Sequence, residues 1–101
     1  MLDTRTAVAH VPTASPERYA KQLVSHLGRR CEVRHEADGS RLVLAAGECL
    51  VRPGADVLEL HATAPDAESL TRVTDVVGRH LERFGQRNEM HVVWTANGPD
   101  H

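Results

Sequence analysis

The chain has no isoleucine, a single lysine (Lys21) and three aromatic residues, Tyr19, Phe84 and Trp94. So few aromatics leave no stacking platform for single-stranded nucleic acid. Positive charge is not in excess either: twelve Lys and Arg face fourteen Asp and Glu, for a formal net charge of -2. A protein built to neutralise many phosphates needs the opposite balance. No apolar run approaches a membrane span. The first residues, MLDTRTAVAH, lack the charged-then-apolar pattern of a signal peptide, so the expected address is the cytoplasm. No G-x-S-x-G elbow, P-loop or dinucleotide fingerprint is found. The scarcity of Ile and Lys fits a GC-rich bacterial genome.

What is there is organised around residues 31–63, which read as four short strands. Asp38-Gly39 between alternating runs predicts a type I′ hairpin. It would set Glu36 opposite Arg41, His35 opposite Leu42, Val33 opposite Leu44 and Cys31 opposite Ala46. Gly47-Glu48 predicts a II′ turn, setting Ala46 opposite Cys49 and Leu44 opposite Val51. A longer turn over residues 53–56 would set Val51 opposite Leu58 and Cys49 opposite Leu60. All three turns agree on one apolar face: Cys31, Val33, His35, Leu42, Leu44, Ala46, Cys49, Val51, Leu58 and Leu60. A one-residue slip at any turn would break that agreement. The other face carries charges, with Val43, Leu50 and Val57 among them. Those three read either as ordinary exposed apolar surface or as a docking strip for a second copy or a partner.

Before the meander, residues 5–11 read as a strand. Ser15-Pro16 opens a helix with Ser15 as N-cap. Tyr19, Ala20, Leu23, Val24 and Leu27 form its apolar stripe, and Gly28 stops it. After the meander, Asp66 caps a second helix whose stripe is Leu70, Val73, Val77, Leu81 and Phe84. Glu68–Arg72 and Asp75–Arg79 are i,i+4 pairs on its solvated side. Residues 90–95 read as a last strand. The expected fold is α+β: a two-layer sandwich of order β-α-β-β-β-β-α-β. Both helices cover one face of a mainly antiparallel sheet, and strands one and two run in parallel across the first helix. Residues 1–101 form one domain, ordered over about residues 5–96, with a frayed tail over 97–101.

The two cysteines are expected to be free thiols. Cys31 and Cys49 would lie two strand spacings apart, roughly 9.5 Å, beyond the limit of about 7 Å for a disulfide.

Three sets of residues are candidates for chemistry. The first helix should end near the start of strand two, which would bring His26 close to Cys31 and Cys49. One imidazole and two thiols could hold a transition metal, or they could be packed core residues, as free cysteines often are. His80 lies roughly 20 Å along the second helix from Asp66. It is therefore expected at the opposite end of the sandwich, near His35, and apart from His26. Arg83 and Arg87 flank the end of that helix and could grip a carboxylate or phosphate. Alternatively, they pair with Glu82 or Glu89 as surface salt bridges.

Several blocks carry a family resemblance: Arg18-Tyr19-x-x-Gln22-Leu23-x-x-His26, Gly47-x-Cys49, Val76-Val77-x-Arg79-His80-Leu81-Glu82-Arg83-Phe84, Arg87-x-Glu89 and Trp94. Together they resemble the bacterial family called domain of unknown function 2218. That family often has Cys where this chain has Val24, and histidine where this chain has Gly28-Arg29-Arg30. The resemblance implies association with siderophore-interacting flavoprotein reductases, and so an accessory role in iron acquisition. The leading expectation is a non-catalytic binding or accessory domain. The alternatives are a metal- or haem-binding protein using His26 and Cys49, and a small enzyme with an anion site near Arg83 and Arg87.

Overall fold

A computed structural model describes residues 4–86 and 90–96. Along the chain run β1 (Arg5–Pro12), α1 (Pro16–Leu27), β2 (Glu32–Glu36), β3 (Gly39–Val43), β4 (Glu48–Pro53), β5 (Val57–Ala64), α2 (Ala67–Phe84) and β6 (Trp94–Ala96). The strands form one antiparallel sheet in the order β2-β3-β4-β5-β1-β6. β1 and β2 do point the same way, but three strands separate them, so they form no parallel pair. The expected order of elements and the two-layer α+β architecture are both present. The expected tail over 97–101 lies outside the described residues.

The core lies between the sheet and the helices. Leu42, Cys49, Val51, Leu58, Leu60 and Ala62 project from the meander, and Ala7, Ala9 and Val11 from β1. Leu23 and Leu27 of α1 and Val73, Val77 and Leu81 of α2 meet them. Each large aliphatic side chain so buried contributes about 1.5–3 kcal/mol. Among the described residues no polar or charged side chain is buried there. The predicted face therefore stands, except that His35 is exposed at the tip of β2.

The registers differ from those read off the turns. Val33 pairs with Leu42 rather than Leu44, two residues away. Cys49 pairs with Leu42 rather than Ala46, four away, and with Ala62 rather than Leu60, two away. Every shift is even, and an even shift leaves each side chain on its original face. The first hairpin turns on Ala37-Asp38, and Gly39 already pairs with Glu36 in the ladder. Gly39 is needed for close approach: a Cβ there would sit 2.2 Å from the Val51 carbonyl oxygen. The next connection uses residues 44–47, closed by Leu44 N–H donating to Gly47 O at 2.7 Å. A Cβ on Gly47 would meet Thr63 O at 2.3 Å.

Helix capping divides in the same way. Asp66 caps α2, its carboxylate accepting from Ser69 N–H at 2.7 Å. Ser15 occupies the cap position of α1, but its side chain makes no cap bond.

Candidate functional site

β1 and β5 are antiparallel, so α1 and α2, which follow them, set out from opposite ends of the sheet. They pack side by side on the same face. At about 1.5 Å per residue, the 12 residues of α1 are much shorter than the 18 of α2. The last turn of α1 ends against Cys31, just ahead of β2, and beside the later turns of α2. This brings His26 to His80, with ring centroids 5.0 Å apart. The expectation that these two histidines stand at opposite ends is overturned, and so is a His80–His35 pairing. His35 instead meets Ser40 at 3.2 Å on the β2–β3 hairpin.

His26 also meets the edge of Phe84, with centroids 5.4 Å apart and planes at 79°. His80 and Phe84 are four residues apart on α2, so they stack along one helix flank. His80 Nδ1 lies 2.7 Å from Val76 O. A carbonyl only accepts, so Nδ1 carries the hydrogen. Nε2 then offers a lone pair in the neutral ring and a second N–H in the imidazolium.

Arg83 lies on the next turn. With Arg79 and His80 it bounds an open depression of about 310 Å³. Arg79 and Arg83 also border a second one of about 540 Å³, with Glu82, Gln86, Met90 and His91. Arg83 does not pair with Glu82, whose carboxylate accepts from Val92 N–H at 2.9 Å. Glu68–Arg72 forms at 3.4 Å, whereas Asp75–Arg79 does not. None of Arg29, Arg30, Arg79 and Arg83 forms an ion pair with a carboxylate among the described residues. Arg87 and Glu89 lie outside the described residues.

The field at His26 reflects this. Its pKa is held below the ordinary 6.5, first by partial desolvation and then by the positive charge of His80, Arg29, Arg30 and Arg83. Among the described residues every charge acting on it is cationic. The surroundings favour the neutral ring until a negative group arrives.

Of the two cysteines, Cys31 adjoins the last turn of α1, as expected, and Cys49 lies in the core. Both are free. Cys49 is fully buried in the core, where burial pushes its thiol up to about 12. Cys31 is half-buried, its Sγ–H donates to Leu27 O at 3.2 Å, and its pKa is raised by burial. Among the described residues no group of three or more His, Cys, Asp or Glu is placed to hold a metal ion.

On the open side of the sheet, Val43, Leu50 and Val57 are half-buried among charges. Arg41 holds Glu36 through two contacts, at 2.7 and 3.2 Å, and reaches Glu48 at 3.2 Å. The expected Glu36–Arg41 attraction is thus present, but on a diagonal, because Arg34 is what faces Arg41 directly. Leu50 lies between Arg41 and His61 in the ladder.

Arg29, Arg30 and Arg79 were not singled out by the sequence as part of a site. Arg29 and Arg30 are explained by the helix dipole at the end of α1, and Arg79 by the expected pair with Asp75.

Among curated proteins there is no match. Among solved structures the fold is similar to the NMR structure of PA4090 from Pseudomonas aeruginosa. The two share 25% identity, the similarity covers 94% of this chain and 96% of that one, and the TM-score is 0.73. Residues 8–95 match the family described as "Uncharacterized protein conserved in bacteria (DUF2218)". With nearly the whole described fold inside that match, including His26, His80 and Arg83, the chain belongs to this bacterial family.

Proposed function

We propose that this domain is a non-catalytic binding or accessory module of the bacterial cytoplasm. Its ligand is a small anion bearing carboxylate or phosphate, held by His26, His80 and Arg83, with Arg29, Arg30 and Arg79 around them. One observation carries the reading: among the described residues, the charges acting on His26 are all cationic and the guanidiniums beside it have no carboxylate partner. Unpaired arginines offer planar forks suited to carboxylate and phosphate oxygens. The helix C-termini oppose an anion by about 0.3–1 kcal/mol. Several full positive charges at the same place outweigh that.

The same field disfavours a metal cation at the His26–His80 pair. Cys49, deep in the core with its thiol near 12, is a costly source of thiolate. These points support the anion over the metal or haem reading. Within the anion class, a carboxylate-rich iron chelator is the ligand that the siderophore association implies.

The test is a thermal-shift screen of phosphates, di- and tricarboxylates and ferric citrate at low salt, repeated on Arg83→Gln. The reading expects at least one polyanion to raise the melting temperature of the native protein and not that of the variant. Equal shifts in both proteins, or a response to transition metals alone that Cys49→Ser removes, would refute it.

A further inference from the structure

Resting on that anion reading, we propose that the His26–His80 pair takes up a proton when an anion binds, so that the patch is a proton-coupled anion site. The argument begins with the His80 tautomer. Nδ1–H is committed to Val76 O at 2.7 Å. A neutral His80 therefore presents only the Nε2 lone pair, which repels an anion's oxygen, while a protonated one presents an N–H donor.

His26 stands 5.0 Å from that ring. In the empty patch two imidazolium charges this close, with further cations near them, oppose each other. The charged groups facing the pair come from both helices: Arg29 and Arg30 just beyond α1, and Arg79 and Arg83 on α2. Glu82, which borders Arg79 and Arg83 on α2, is held by Val92 N–H. The sheet adds no buried charge beneath the helices among the described residues. The depressed basicity of His26 agrees with this geometry. A dianion placed between the rings and Arg83 reverses the sign of the local field, and a proton from solvent then follows it onto the pair. Linkage requires the converse as well: lowering the pH tightens anion binding.

Sulfate is the suitable probe, because it stays doubly charged from mildly acidic to mildly alkaline pH. Its affinity is to be measured by amide and histidine ring shifts at constant low ionic strength, and its proton uptake by calorimetry in two buffers of different ionisation enthalpy. Sulfate should bind about tenfold or more tightly at pH 5.5 than at pH 8, with net proton uptake near the ordinary imidazole range. The double variant His26→Gln/His80→Gln keeps a neutral N–H donor at each position but cannot titrate. It should bind weakly with a flat pH profile, while its unperturbed amide spectrum shows that it is folded. Binding that is equally tight at both pH values in the native protein overturns the proton coupling and leaves the anion reading standing. No binding at either pH overturns both.

Discussion

On the open face of the sheet Arg41 is held by Glu36 and Glu48 and Arg34 by Glu32, while Arg52 has no ion-pair partner among the described residues. At the ends of the helices Arg29, Arg30, Arg79 and Arg83 have no such partner among the described residues. The two surfaces thus differ in degree: most arginines of the open face are paired, and none of the four near the helix ends is, among the described residues. Paired surface charges contribute about 0–1 kcal/mol each and set register or solubility. A cluster of like charges lowers stability, and a ligand of opposite sign recovers the loss. That contrast marks the helix ends, and not the sheet, as the place to look for a small ligand.

The largest way to break the contrast is to remove what both surfaces stand on. Leu81 is fully buried directly after His80. Leu81→Ala should cost about 2–5 kcal/mol in urea unfolding and weaken anion binding with it. Next comes Cys49→Ser, which puts a hydroxyl where the thiol is fully buried. It should cost about 1–3 kcal/mol, and the native thiol should resist alkylation until the chain unfolds. A stability unchanged by this substitution would remove Cys49 from the core account.

A paired experiment sharpens the contrast directly. Arg83→Glu should weaken sulfate binding about tenfold or more, equivalent to about 1.4 kcal/mol, while stability changes by less than about 0.5 kcal/mol. Arg41→Gln should do the reverse, costing about 1 kcal/mol or less with sulfate affinity unchanged. If both variants lose affinity equally, the effect is overall charge and not a site.

The faces of the sheet were legible because side chains alternate with period two and every register error was even. The registers were not legible. Asp38-Gly39 carries a hairpin signature, yet Gly39 serves a close contact with Val51 O, a neighbour two strands away from the turn in sequence. Gly47-Glu48 offered a two-residue turn, but the chain turns over the four residues 44–47 and Glu48 already pairs with Val43. At the site, His26, His80 and Arg83 could each be picked out by type. Their meeting could not, because it depends on where a short helix ends beside a longer one, and helix packing leaves no local mark on the sequence.

The smallest effect is in the pH dependence of stability. His26 is held below 6.5, so the folded protein binds fewer protons than the unfolded chain. Its penalty is absent above 6.5, grows as pH falls from there, and is complete below the folded value. Glu36, Glu59 and Asp66 are held below their ordinary 4.5, 4.5 and 3.8, by Arg41, His61 and the Ser69 N–H respectively. Their contributions are full above those values and are lost as pH falls through the lowered ones. Urea midpoints should therefore show an early shallow decline that His26→Gln removes, and a later acid decline that it leaves in place.

The most direct measurement is a sulfate titration of the native protein at low salt, followed residue by residue in amide spectra. The account predicts saturable shifts confined to the last turn of α1, to Arg29 and Arg30, and to α2 from Val76 to Phe84. Shifts centred on Arg41, Leu50 and His61 of the open sheet, or none that saturate, would contradict it.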